Sequence, residues 1–214
     1  MALCLLLAAA PFVEDLPNGH LVEVLLVTLV MISALLAVGG QRRTFRIALV
    51  LIAPTLVARW INHIQPDLLP PAVFPAFGVL FFGYVVAHLL RFILRATRVD
   101  ANVLCAGLSG YLLLGLLWTT IYVMVARLNP RAFAFPAGSE SAAPLDGFNA
   151  FYFSFMTLCT VGYGDITPVS IPARMLAVAE AIAGLFYVTV LISRLVAVYS
   201  TTRDSGETDA LNKP

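Results

Sequence analysis

The stretch Asp146-Gly147-Phe148-Asn149-Ala150-Phe151-Tyr152-Phe153-Ser154-Phe155-Met156-Thr157-Leu158-Cys159-Thr160-Val161-Gly162-Tyr163-Gly164-Asp165 decides the fold. Asp146 is an N-cap candidate for an apolar helix over Gly147 to Leu158. At the standard rise that helix is about 18 Å long, too short for a hydrocarbon core that takes roughly 20 helical residues to cross. The backbone then leaves the helix at Cys159 and runs past two glycines to Asp165, ahead of Pro168. Non-helical backbone at membrane depth is tolerated only where it is buried in protein or lines a water-filled path. The helix therefore reads as re-entrant, and the segment after it as part of an aqueous pathway.

The rest of the chain supplies the membrane that this reading needs. Of 214 residues, 60% are hydrophobic and 12% charged, with a mean hydropathy of +0.92, far more apolar than soluble domains. Five stretches read as spanning helices: about Leu21 to Val38, Ile47 to Ile64, Ala72 to Leu94, Asn102 to Ala126 and Ile171 to Tyr199. A sixth, Ala2 to Val13, is apolar but shorter than a crossing and lacks the positive n-region of a secretory signal. It reads as a short first helix, an interfacial segment or the remnant of a misplaced start. Pro17-Asn18-Gly19, Gly39-Gly40, Pro66-Asp67 and Pro70-Pro71 are turn chemistry, so the helices are expected to be tight hairpins. The fold class expected is an all-α integral membrane protein, with five to six transmembrane helices and the re-entrant helix and loop between the last two.

Cations set the orientation, because short cytoplasmic loops retain Lys and Arg. Arg42, Arg43, Arg46, Arg91, Arg95, Arg98, Arg194, Arg203 and Lys213 fall on one side of this arrangement. The other side receives Arg59, Arg127, Arg131 and Arg174, together with Glu14, Asp15 and Asp67. The C-terminus is thus expected in the cytoplasm and Leu128 to Ser170 outside.

Thr160-Val161-Gly162-Tyr163-Gly164 matches residue for residue the filter pentapeptide of potassium channels, and the chain resembles that family over about Asp100 to Tyr199. The resemblance implies that the carbonyls of Thr160, Val161, Gly162 and Tyr163, with the Thr160 hydroxyl innermost, replace the hydration shell of K+. Gly162 and Gly164 supply the left-handed backbone positions that a row of inward carbonyls requires. It further implies that the Tyr163 ring packs against short-helix aromatics such as Tyr152 and Phe153, holding the filter open. One pentapeptide is one quarter of a ring, so a homotetramer in membrane lipid is implied, with K+ as permeant ion and no organic cofactor. One departure from the family stands out. Some members place a carboxyl where this chain has Met156, so Asp165, the residue after the filter, needs another partner.

Two residues of the last helix are further candidates. Glu180 is an intramembrane carboxylate, read either as a brace for the filter region or as a cavity-facing group that enriches cations or senses protons. Gly184, one turn on, reads either as a gating hinge or as a site of close helix packing. Arg91, Arg95 and Arg98 recur at helical spacing, but they cluster at the cytoplasmic end of their segment, where arginine anchors a helix. Phe74 to Leu90 holds no cation except His88, so weak voltage dependence is expected.

The domain organisation expected is N-terminal membrane helices over residues 1–99, a pore domain over 100–200 and a short cytoplasmic tail over 201–214, too short for a ligand-binding domain. The net charge of +1, without basic residues interleaved with aromatics, argues against nucleic acid. Cys4, Cys105 and Cys159 fit neither a disulfide framework nor a zinc site, and His20, His63 and His88 share no metal-like spacing. Trp60, Trp118 and Tyr122 read as packing or interfacial anchors. A transporter subunit, a poorly selective cation channel and an intramembrane enzyme using Asp165 or Glu180 are the alternatives. The single intact pentapeptide and the lack of a usable catalytic pair weigh against them, so the chain is read as a channel and not an enzyme. The preponderance of Arg over Lys and the Ala/Leu richness suggest a bacterial inner membrane, the plasma membrane of that cell.

Overall fold

The computed structural model describes residues 19–37, 42–64, 70, 73–96, 101–135, 145 and 147–211. Ala2 to Val13, Asp146 and most of the turn residues named above lie outside the described residues. Among the described residues six helices follow one another: α1 (Gly19–Ala37), α2 (Arg42–Ile64), α3 (Val73–Arg95), α4 (Ala101–Leu128), α5 (Gly147–Leu158) and α6 (Ile171–Leu211). Thr44–Ile61, Pro75–Arg95, Ala101–Leu128 and Ile171–Ala197 are long and apolar enough to cross a membrane. In α1 the described apolar run is Val24–Leu36. The chain is a multi-pass membrane protein.

Two ends differ from expectation. Helix α2 begins at Arg42, so Arg42, Arg43 and Arg46 form its first turns and not a loop. Helix α6 continues to Leu211, well past Tyr199, so most of the expected polar tail is helical. Both extensions are polar sequence continuing an apolar helix, which hydropathy alone ends too early. At the start of α2, Arg carries good helix propensity whether or not lipid surrounds it.

The helices pack in chain order, α1 on α2, α2 on α3 and α3 on α4, while α4 and α6 grip α5 between them. Phe81, Val85 and Leu89 recur one turn apart on α3 and are buried in a cluster with Leu113 and Leu116 of α4. Lipid tails are as apolar as these side chains, so close van der Waals fit must supply the association. Small residues permit it: a Cβ on Gly107 would stand 3.0 Å from Leu191 Cδ1. Thr28, Thr55, Thr119 and Thr120 each donate their hydroxyl to the carbonyl four residues back, which satisfies them without a neighbour.

Beyond α4 the chain folds back on itself. Phe133–Ala134 (β1) pairs antiparallel with Thr167–Pro168 (β2), with Phe133 opposite Pro168. Ala132 O accepts from Val169 N at 2.8 Å and Ser170 N at 3.2 Å. Ser170 caps α6, its Oγ accepting from Ala173 N at 3.3 Å. The loop after α5 is therefore anchored at its far end to the segment that follows α4. Further along α6, Arg194 Nη2 donates to Ala96 O at 2.7 Å, just past the C-terminus of α3.

Candidate functional site

Helix α5 ends as expected at Leu158, and its last carbonyls organise the loop that follows. Cys159 N donates to Phe155 O at 3.0 Å and Thr160 N to Thr157 O at 2.9 Å. Val161 N and Gly162 N both donate to Met156 O, at 2.9 and 3.1 Å. All peptides here are trans, so an N–H aimed at α5 sends the preceding carbonyl the opposite way. The carbonyls of Cys159, Thr160 and Val161 consequently point away from α5.

The backbone beyond keeps that arrangement. Thr160, Gly162 and Gly164 have φ of 58°, 54° and 80°, so every second residue is left-handed. Alternation of this kind turns successive peptide groups to a common side. Thr160 adopts it despite its branched Cβ, a conformation that costs roughly 1–2 kcal/mol for a residue other than glycine. Residues 159–165 are all exposed in the single chain, Tyr163 at 73%. The loop is a bare row of acceptors along one edge of the subunit.

Asp165 has the partner that Met156 cannot provide. Its Oδ1 accepts from Ile166 N at 3.0 Å, and the Tyr152 hydroxyl hydrogen-bonds its carboxylate. Phe153 corrects an expectation. It is buried within the subunit rather than against Tyr163, its ring centroid 4.9 Å from Tyr122 and 5.4 Å from Phe133. Adjacent residues on a helix point about 100° apart, so Tyr152 reaches Asp165 while Phe153 points into the buried cluster.

Behind the end of α5, Gly184 is buried against Leu158, with a Cβ there standing 2.6 Å from Leu158 O. Of its two readings the packing one describes this contact. Tyr111 donates to the same Leu158 carbonyl at 3.3 Å and lies 3.5 Å from Cys159 Sγ. Glu180 is fully buried, one turn away, and faces α5 and α4. Tyr122 Oη donates to Glu180 Oε2 at 2.6 Å, and Ser154 Oγ lies 2.6 Å from Glu180 Oε1. Tyr122, taken as an anchor from sequence, and Ser154, not singled out, are thus part of the site. An intramembrane carboxylate implies hydroxyl or cation partners, but nothing in their spacing identifies which residues those are.

The chain is similar to known ion channels. The ion channel family pattern matches residues 108–201. Protein LctB of Bacillus caldotenax is 34% identical over 128 residues, 54% of this chain and 92% of that protein. Two pore potassium channel c of Oryza sativa subsp. japonica is 35% identical over 66 residues, and the voltage-gated potassium channel Kch of Escherichia coli 40% identical over 62. Those matches take in 31% and 25% of this chain and 14% of each relative. No solved structure matches the chain significantly.

Proposed function

The chain belongs to the potassium channel family of ion channels, and from that premise we propose that it conducts K+ passively through a filter formed by Thr160, Val161, Gly162, Tyr163 and Gly164 of four identical subunits. The observation that carries the assignment is the left-handed alternation at Thr160, Gly162 and Gly164, with the loop N–H groups tied to Met156 O. Carbonyls held away from α5 are free to replace water around a dehydrated cation. One subunit lines one side of such an ion. Four are needed to surround it, and the exposed loop leaves room for the other three.

The exposed face of α6 supports the same assembly. Met175, Val178, Ile182, Leu185 and Phe186 are each at least half exposed in the single chain. In a tetramer this surface would serve neighbouring inner helices and the cavity below the filter. Helix α5 acts as the pore helix, its negative C-terminal dipole directed at that cavity, where it favours a cation. Asp165 and Tyr152 brace the outer end of the filter. Helices α1 to α3 carry no ladder of charges that the membrane field could move, so opening depends only weakly on voltage.

The test is the reversal potential of purified protein in planar bilayers under opposed K+ and Na+ gradients, beside Gly162→Asp. A reversal close to the K+ equilibrium potential, with the selective current gone in the variant, is expected. Equal permeability to Na+ overturns the filter assignment.

A further inference from the structure

Glu180, Ser154 and Tyr122 are all fully buried and come from three different helices, α6, α5 and α4. The proton count among them is constrained. Ser154 Oγ lies 2.6 Å from Glu180 Oε1 and 2.9 Å from Gly115 O. A serine hydroxyl has one proton to donate, and a peptide carbonyl has none. If Glu180 were ionised, both neighbours of Ser154 would be pure acceptors and one of the two short contacts would set lone pairs against each other. The length of 2.6 Å does not decide the matter, because short O–H···O bonds occur with and without charge. The count does. A proton on Glu180 Oε1 is donated to Ser154, Ser154 donates to Gly115 O, which also accepts from Thr119 Oγ1 at 2.8 Å, and Tyr122 donates to Glu180 Oε2, so that no two of these oxygens meet as bare acceptors.

The surroundings favour the same state. Among the described residues no cation is paired with Glu180, and an ionised carboxylate in an apolar interior without one costs far more than a neutral acid that finds both its hydrogen bonds. The titratable groups facing it are Tyr122 and, at longer range, Tyr111 with Cys159 beyond, none of them positive at neutral pH. Gly115 also brings α4 close to α5, since a Cβ there would meet the Phe155 ring at 2.5 Å. Ser154 thus reaches the α4 backbone directly and α6 through Glu180.

Resting on the filter assignment above, we propose that Glu180 is a neutral carboxylic acid that acts as a positioning residue for K+ conduction. Its proton, passed to Ser154, locks the pore helix between the outer helix α4 and the inner helix α6, and so sets where Met156 O and Thr157 O hold the filter loop. Neither Ser154 nor Tyr122 touches the ion path. Their effect is exerted through α5.

Infrared difference spectroscopy of the reconstituted protein against Glu180→Gln at neutral pH tests the proton directly. The carbonyl stretch of a protonated carboxyl, present in the parent and lost in the variant, is expected; loss of carboxylate stretches alone overturns the proposal. Function supplies the second arm. Glutamine offers a donor to Ser154 and an acceptor to Tyr122, so Glu180→Gln keeps the K+-selective current, whereas Glu180→Leu, checked by size-exclusion profile to be assembled, lowers it roughly tenfold through the polar groups left unmatched. Equal selective currents from the Gln and Leu variants overturn the positioning role. A parent protein that fails to select K+ strikes the filter assignment instead, and the infrared result stands apart from it.

Discussion

Gly184 lies against the last carbonyl of the pore helix, so close that a Cβ at residue 184 would stand 2.6 Å from Leu158 O and 2.9 Å from Leu158 Cδ1. The first of these atoms is backbone and cannot swing aside. Inner helix and pore helix are therefore in direct contact one turn beyond Glu180, at the point where the filter loop departs.

Gly184→Ala follows from that contact. The methyl group forces α6 and α5 apart, an overpacking of about 1–3 kcal/mol per subunit. Reduced thermal stability of the assembled channel, together with impaired K+ over Na+ selectivity, is the expected result. It is read by a melting profile in detergent and by reversal potentials. If glycine served instead as a flexible hinge, Gly184→Ala would slow opening and closing but leave melting and selectivity as they were.

Tyr152→Phe removes the hydroxyl that Asp165 receives from the pore helix and leaves the filter backbone untouched. Reversal potentials are expected to stay at the parent value, while current declines faster during sustained opening because the outer end of the filter has lost a brace. Patch recordings of long openings measure both. A decline at the parent rate removes Tyr152 from the support of the filter.

Voltage dependence can be measured as the slope of conductance against potential. One elementary charge crossing the field contributes about 2.3 kcal/mol per 100 mV, so steep gating needs several charges that move. Arg91 and Arg95 sit in the last turns of α3, and Arg91 is exposed. The double variant Arg91→Gln, Arg95→Gln is expected to keep the shallow slope of the parent. A steep parent relation that flattens in the double variant would assign these residues to a sensor after all.

Four of the five expected spanning helices, the short helix α5 and the glycine positions after it were legible in the sequence because each is decided locally, whereas the described apolar run of α1, Val24–Leu36, is shorter than a crossing. Hydropathy over a few turns specifies what crosses a membrane, and a glycine pair specifies where the backbone can turn left-handed. The ends of α2 and α6 were not legible, since polar residues extend a helix beyond lipid without any apolar signal.

Glu180 could be marked as unusual from sequence, as any carboxylate inside a membrane helix can, but its partners could not. Ser154 lies 26 residues away in the chain and Tyr122 58, and a serine or tyrosine in an apolar helix looks the same whether it meets lipid or a carboxyl. Phe153 and Tyr152, side by side in sequence, likewise have different partners, Phe153 the Tyr122 and Phe133 rings and Tyr152 the Asp165 carboxylate, and only the placement of the neighbouring elements determines which residue takes which. Local chain chemistry therefore determined what enters the membrane and where the backbone opens. The meeting of three helices at Glu180 and Gly184 decided how that opening is held, because side-chain contacts between helices depend on their packing and leave no periodic trace in any one of them.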